Sequence, residues 1–509
     1  MSNRLTFSRI VILLALTVLL VAGATVSAQS GTLRVGINAP VQLDPALGSA
    51  DSEIMFNRNL YDYLVEILPD GNLAPNLATN WEISDDSLTY TFHLAEGVTF
   101  HDGSPLTAND VVFTFNRLKE LESPALGLLR EFEVSAADDL TAVFTLPDIN
   151  ADFLFGVGSN FAPILKAGTA APNVIVEGDN PFVNFNGTGP FVLSDFAPGE
   201  SATFTANPNY WIEGQPQIET LEMLYIEDPL AQIDAIRSGT VDVIFRLPLD
   251  QLSVIESEEG VGLLQKTTNL HPVVRLRSDA GHLGEDVRVR QAFKLATDSQ
   301  AINELLLNGL GTVGNNDPIG PVYGPFYTPI GQPARDPARA CQLIQEATGQ
   351  ERISEQLFVV NAFNYPDVAT VLQQQWAEGC IDVEVQVRAE NIYYGDNEWL
   401  TVDLGITGWG HRVVPQDYLA QAYVSGGAFN ESHWSTDALD ELVTQASRTP
   451  DISARATIYA QISQIFADEG PIIIPFFAPV IGAVVDGVEG LNMHTFPGRT
   501  DFRTVTVSG

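Results

Sequence analysis

Apolar residues recur along the chain at two spacings. Leu88, Tyr90, Phe92 and Leu94 alternate with Thr89, Thr91 and His93, and Ala142, Phe144 and Leu146 repeat the alternation. A period of two lays one apolar face of a strand on a core. Each strand follows an Asp-Asp turn, SDDSLTYTF at Ser84 and ADDLTAVFT at Ala137, an echo of hairpin chemistry without a repeat period. Between them the spacing changes: Val111, Phe115 and Leu118 share one face of a helix, with Thr107 placed to cap it and Asp110 in its first turn. Upstream, Thr32 to Asn38 reads as a buried strand running into Pro40 and the polar loop QLDPALGSADSE, and Ile54 to Leu68 reads as helix. Downstream, Gly187-Thr188-Gly189-Pro190 breaks the chain before the strands Phe191 to Phe196 and Ser201 to Ala206.

From Tyr225 helix and strand alternate. Leu230 to Arg237 predicts a helix ending at Gly239, and Val241 to Phe245 a strand, a unit that builds parallel sheets. Leu270 to Arg277 reads as a strand before a helical stripe of Val289, Ala292, Phe293 and Ala296, and Asp298 caps the next helix. Strand Gln356 to Val360, helix Val368 to Glu378, and strands Ile381 to Val387 and Val402 to Thr407 complete a second α/β unit. Leu439, Leu442, Val443 and Ala446 mark a helix face, and Pro471 to Phe477, PIIIPFF, is an apolar strand able to carry the chain back to the first half.

The stretch GITGWGHRVVPQDY, Gly405 to Tyr418, ends an apolar run and becomes a loop bearing Trp409, Gly410, His411, Arg412 and Asp417. In an open α/β sheet, ligands sit beyond the carboxyl ends of strands, where the backbone is fixed and side chains are free. The loop therefore reads as the floor of a ligand cleft, the alternative being a surface loop whose tryptophan caps a core. Asp51, Phe245, Arg246 and His271 are further candidates from strand ends facing the same cleft.

Composition narrows the classes. With 509 residues, 45% of them hydrophobic, the chain buries large cores and divides into more than one lobe. A formal net charge of −39, with 64 acidic against 25 basic residues, excludes nucleic acid as a partner, because phosphate needs a positive counter-surface. At the N-terminus, Arg4 and Arg9 precede the apolar run IVILLALTVLLVAG, and Val26-Ser27-Ala28 offers the small residues of a cleavage site. Residues 1 to 28 thus read as a signal peptide, the alternative being an uncleaved anchor, and the mature chain starts at Gln29. No cysteine follows the run for lipid attachment. Cys341 and Cys380, the only two cysteines, read as a disulfide in an exported chain, the alternative being two separate buried thiols. Their spacing fits no zinc pattern.

No HExxH, GxSxG, GxxxxGK[ST] or strand-following GxGxxG occurs, so no catalytic residue, metal ligand or cofactor is assigned. His433 with Glu431 in NESHW reads as a structural network, and His101-Asp102-Gly103 as a turn.

LTYTFHLAEGVTFHDGSPLTANDVVFTFNRL, NGTGPFVLSDFAPGESATFTANPNYW, IRSGTVDV, DVRVRQAFKLATDSQAI and IFADEGPIIIPFFAP follow one another in this order. They resemble the successive signature segments of the family 5 extracellular solute-binding proteins, the peptide, nickel and oligosaccharide receptors of ABC importers. The resemblance runs from about Thr32 to the C-terminus. It implies a two-lobed α/β fold like that of periplasmic binding proteins, with a hinge and an extra β-rich subdomain on the first lobe. The expected bounds are 29–268 for the first lobe, with the extra subdomain near 72–190, then 269–476 for the second lobe and 477–509 for the return. The implied function is capture of a peptide or peptide-like solute by a monomeric, exported protein, periplasmic or at the cell surface, with delivery to membrane permease subunits. An oligosaccharide or other small organic solute is the alternative, with Trp409, Tyr393 and Tyr394 as stacking platforms; a secreted hydrolase is the alternative from another class. One departure matters. Where peptide binders of the family carry an acidic residue soon after Trp-Gly to pair with the peptide's ammonium, this chain has Trp409-Gly410-His411-Arg412. Arg412 repels an ammonium and suits a carboxylate, or forms a structural pair with an acidic neighbour. Asp417 and Asp51 are the acids left to take an amine.

Overall fold

One sheet runs through the whole molecule and carries both lobes. The computed structural model describes residues 31–169, 182–395 and 397–508; the segment 1–28, read above as a signal peptide, lies outside them. The sheet's main strands are β1 (Thr32–Ile37), β2 (Phe191–Ala197), β3 (Ser201–Ala206), β4 (Thr220–Tyr225), β5 (Val243–Ile244), β6 (Val261–Leu276), β7 (Ile353–Val360), β8 (Ile381–Arg388), β9 (Leu404–Trp409) and β10 (Phe476–Val485). Their spatial order is β8-β7-β9-β6-β10-β5-β1-β4-β3-β2.

The parallel pairs are those that helices feed. Helix Pro229–Arg237 joins β4 to β5, opened by Pro229 and capped by the Asp228 carboxylate, which accepts from the Leu230 and Ala231 amides. β4 and β5 both lie parallel to β1. In the same way helix Tyr365–Glu378 joins β7 to β8, which pair in parallel from Ile353 opposite Ile381 to Val360 opposite Arg388.

Strand β6 is the link between the halves. Val261 to Lys266 pairs with Val485 to Val480 of β10, and His271 to Leu276 pairs with Trp409 to Leu404 of β9. The register shifts between Lys266 and Leu270, so the ladder is interrupted where the strand changes partners. The buried apolar residues separate there too. Leu33, Val35, Phe204, Leu221 and Met223 form one core, completed by Met493, Phe502 and Val505 from the C-terminal segment. Val289, Ala292, Phe293 and Ala296 join Leu357, Val359 and Trp376 in another, with the Phe293 and Trp376 rings edge-to-face at 4.7 Å.

A separate four-stranded antiparallel sheet is built from Ala78–Ile83, Thr89–Leu94, Thr141–Thr145 and Glu133–Asp138. Helix Ala108–Glu120 covers it with Val111, Phe115 and Leu118, and Phe115 meets Phe144 at 4.8 Å. The flank of this unit touches the second lobe. The Ala151 amide donates to the Ser447 carbonyl at 3.0 Å, and Arg455 pairs with Asp152 at 2.7 Å, side chains 2% and 3% exposed. Cys341, on helix Pro337–Thr348, is bridged to Cys380 at the turn before β8, with their Cα atoms 5.0 Å apart.

Four elements differ from the sequence expectations. The helix expected over Ile54 to Leu68 spans Asp51–Leu60; beyond it Val65–Ile67 pairs with Leu73–Pro75. It begins early because Glu53 reaches back to accept from the Ser49 and Ala50 amides. β6 starts at Val261 rather than Leu270, since β10 supplies a partner nine residues sooner than the apolar pattern suggests. β9 covers Leu404–Trp409, so Trp409 ends a strand and the loop begins at Gly410. The PIIIPFF run is divided at Pro475, which has no amide hydrogen: Ile472–Ile473 pairs with β6, and β10 starts at Phe476.

Candidate functional site

Strand ends from both lobes converge on one cavity of about 460 Å³. That is within the size range of small-molecule sites, roughly 300–1,000 Å³. On one side Asn38 follows β1, Ser49 to Ser52 lead into helix Asp51–Leu60, and Phe245 and Arg246 follow β5. On the other Gly410 and His411 follow β9, and Phe363 stands in the turn after β7. Thr268 and Leu270 of the β6 shift form part of the wall, and Thr495 to Pro497 return from the C-terminus to close it.

Five of the residues singled out in the sequence line this cavity: Asp51, Phe245, Arg246, Gly410 and His411. Each oxygen of Asp51 accepts one hydrogen bond. Its Oδ2 accepts from Arg246 Nη2 at 2.6 Å and its Oδ1 from the Gly498 amide at 3.0 Å. Arg246 keeps 65% of its side chain exposed. Gly410 leaves open space, since a Cβ there would meet nothing within 4 Å. His411 Nδ1 accepts from the Asn269 amide at 3.1 Å, which leaves the ring proton on Nε2. Its ring stacks near Tyr323 and lies 4.7 Å from Phe496. Burial, then the Arg412 cation, push its pKa down to about 3, so the imidazole is neutral.

The other four stand behind the wall. Trp409 is 6% exposed, and its indole N–H donates to Glu431 Oε1 at 3.1 Å. Glu431 also accepts from the Thr407 hydroxyl at 2.8 Å and pairs with Arg275 at 3.3 Å; burial raises its pKa and Arg275 opposes the rise. His271 is a core residue, because alternation along β6 turns it inward. Its Nδ1–H donates to the Asn269 carbonyl at 2.6 Å, its ring sits 5.4 Å from both Tyr418 and Phe477, and burial lowers its pKa to about 4. Arg412 forms no ion pair among the described residues; its guanidinium lies 5.8 Å from the Trp409 ring. Its backbone is pinned, the amide donating to Tyr418 Oη at 3.0 Å and the carbonyl accepting from Tyr323 Oη at 2.8 Å. Asp417 is pushed up to about 6, first by burial and then by the Asp152 charge.

Sequence reasoning missed Phe363 and the Thr495 to Pro497 segment. Phe363 was findable as the aromatic just past the end of β7, the same positional rule that marks His411. The C-terminal segment reaches the cleft through tertiary folding alone, and no local pattern marks it.

Comparison with known proteins identifies the family. Residues 72–431 match the bacterial extracellular solute-binding proteins, family 5, middle region. The heme-binding protein A of Haemophilus influenzae is 28% identical, the match spanning 92% of this chain and 91% of that one. The dipeptide-binding protein of Escherichia coli is 27% identical over 88% of this chain and 89% of its own. The solved structure of HbpA2 from Haemophilus parasuis superimposes with a TM-score of 0.82 at 26% identity, covering 94% of this chain and all of that one. With the matched region exceeding half the chain, this protein belongs to family 5 of the bacterial extracellular solute-binding proteins, non-enzymatic receptors of ABC importers.

Proposed function

We propose that this chain captures a peptide or peptide-like solute between its lobes and hands it to membrane permease subunits. The observation that carries the reading is the cavity of about 460 Å³, whose walls come from strand ends on both sides of the β6 partner change. A ligand touching both walls favours the closed arrangement, and the closed arrangement docks on the permease. Asp51, Phe245, Arg246, Gly410 and His411 are proposed as direct contacts. Trp409, Arg412, Asp417 and His271 hold the Gly410–His411 loop from behind. The mixed lining supports a peptide-like ligand, with apolar Ile37, Phe245 and Val480 beside polar Asn38, Ser52 and Thr268. So does the dipeptide-binding relative, while the heme-binding relative sets the competing class.

The lobes are proposed to divide at 268/269 and 476/477, close to the β6 shift and the start of β10, with the β-rich subdomain near 72–190. The protein acts as an exported monomer, periplasmic or at the cell surface, after removal of residues 1–28.

Thermal unfolding with pooled short peptides, pooled oligosaccharides and hemin tests the ligand class. A ligand at 100 times its dissociation constant stabilises by about 2.7 kcal/mol. Stabilisation by the peptide pool supports the reading, whereas stabilisation by oligosaccharides or hemin alone overturns the peptide assignment.

A further inference from the structure

We infer that the cleft recognises a carboxylate-bearing solute with a flat apolar group, gripped between Arg246 on one wall and Phe363 on the other, with no site for a free ammonium. The inference rests on the proposed function and names the ligand class of that same cavity.

The polar chemistry of the wall is biased toward donors. Arg246 has one nitrogen on Asp51 and 65% of its side chain exposed, so the rest of its planar fork faces the cleft unpaired. A guanidinium of this kind matches the two oxygens of a carboxylate. His411 adds a second donor, because Asn269 occupies Nδ1 and leaves Nε2–H without a partner among the described residues. Its depressed pKa keeps it a neutral donor across physiological pH.

Carboxylates able to hold an ammonium are lacking on the described lining. Asp51 is the one acidic residue there; its charge is already balanced by Arg246, and each of its oxygens accepts one hydrogen bond, from Arg246 and from the Gly498 amide. An ammonium at Asp51 would share that carboxylate with the Arg246 cation, already 2.6 Å away, and meet its repulsion. Glu53, on the same helix, turns away and spends its oxygens on the amides of Val41, Gln42, Ser49 and Ala50.

The opposite wall supplies the apolar grip. Phe363 is 77% exposed, the most exposed aromatic among the described residues, and it lines the cavity. Its φ of 48° lies in the left-handed region, which a bulky side chain seldom adopts. Such strain persists where the surroundings impose it, and it concentrates at ligand clamps. Tyr365 backs the ring at 5.5 Å, leaving the other face for a flat ligand group. The net charge of −39 opposes an approaching anion at long range. Salt screens that repulsion beyond about 8 Å at physiological ionic strength, so the local cation decides binding.

Calorimetry on the purified protein with three probes separates the alternatives: N-acetyl-Ala-Phe, free Ala-Phe and N-acetyl-Ala-Phe-amide. Acetylation is expected to leave the dissociation constant within about threefold, and amidation of the carboxylate to weaken it about tenfold or more, the loss of one charge-assisted contact. Arg246→Gln should erase the difference between acid and amide, and Arg246→Lys should restore part of it. Phe363→Ser should weaken N-acetyl-Ala-Phe far more than N-acetyl-Ala-Ala. Free Ala-Phe binding about tenfold tighter than its acetylated form overturns the inference and leaves the peptide-receptor reading intact. Failure of N-acetyl-Ala-Phe to bind also overturns the inference, and the pooled-ligand measurement then decides the broader reading separately.

Discussion

Replacing Arg455 with methionine takes the cation out of a buried ion pair and leaves Asp152 behind. The two groups lie 2.7 Å apart with side chains 2% and 3% exposed, so water cannot compensate. Removing one partner of such a pair costs about 3–5 kcal/mol, most of it the burden of an uncompensated charge. The Arg455 guanidinium also lies 4.6 Å from the Phe326 ring, a contact that methionine's thioether partly replaces. The double variant Asp152→Asn with Arg455→Met removes both charges and should recover much of the loss. Urea unfolding followed by circular dichroism reads the difference as a shift in midpoint at constant slope. The pH dependence has a definite sign. Burial already raises the Asp152 pKa above 3.8 against the pull of Arg455, and without Arg455 it rises further. A carboxyl with a raised folded pKa takes a proton more readily in the native state, so stability returns as pH falls through that pKa. The Arg455→Met deficit should therefore be largest at alkaline pH and shrink as pH falls toward 3.8. A single variant costing less than about 1 kcal/mol, or a double variant no better than the single, would refute the argument.

Three further outcomes follow from other sites. Cys341→Ser with Cys380→Ser opens a bridge spanning 39 residues and should lower stability by about 4 kcal/mol on the chain-entropy account, with dithiothreitol producing the same midpoint shift in the wild type. Asp417, whose pKa is raised from 3.8 to about 6, makes its most favourable contribution below pH 3.8 and loses it as pH rises through 6; Asp417→Asn should flatten the fall in unfolding midpoint over that window. Trp409→Phe deletes the donor to buried Glu431 and should cost about 1–3 kcal/mol in urea unfolding, with a smaller effect on solute affinity than Arg246→Gln.

What the sequence disclosed follows from which interactions are local. The stripe Val289, Ala292, Phe293 and Ala296 predicted its helix because one face of a helix can be read from spacing, and the helix spans Val287–Ala296. Asp298 was legible as a cap for the same reason, and it accepts from the Ala301 amide. The first half of β6 was not legible. VGLLQKTTN has no clean alternation, and it is a strand because β10, more than 200 residues later, lies beside it. The cleft shows the same division. The rule that ligands gather beyond strand ends located Phe245, Arg246, Gly410 and His411. It could not tell that Trp409 turns inward, because the partner that draws it there, Glu431, comes from another segment. Phe363 went unremarked among its neighbours, since exposure and a positive φ are properties of the folded chain.

Both described ends of the chain are built into the same lobe. The Gly31 carbonyl accepts from the Glu219 and Thr220 amides, and Val488–Glu489 pairs with Thr506–Val507 beside it. Load applied at either end is thus carried by the lobe containing β1, while the other lobe is joined to it through the continuous strands β6 and β10 and through the Ala151–Ser447 and Asp152–Arg455 contacts. A tether ahead of Gly31 would fix one jaw directly and its partner only through those links. A hold at that end would then leave the opening of the cleft to those links, and the side away from the tether is the one that carries Gly410, His411 and Phe363.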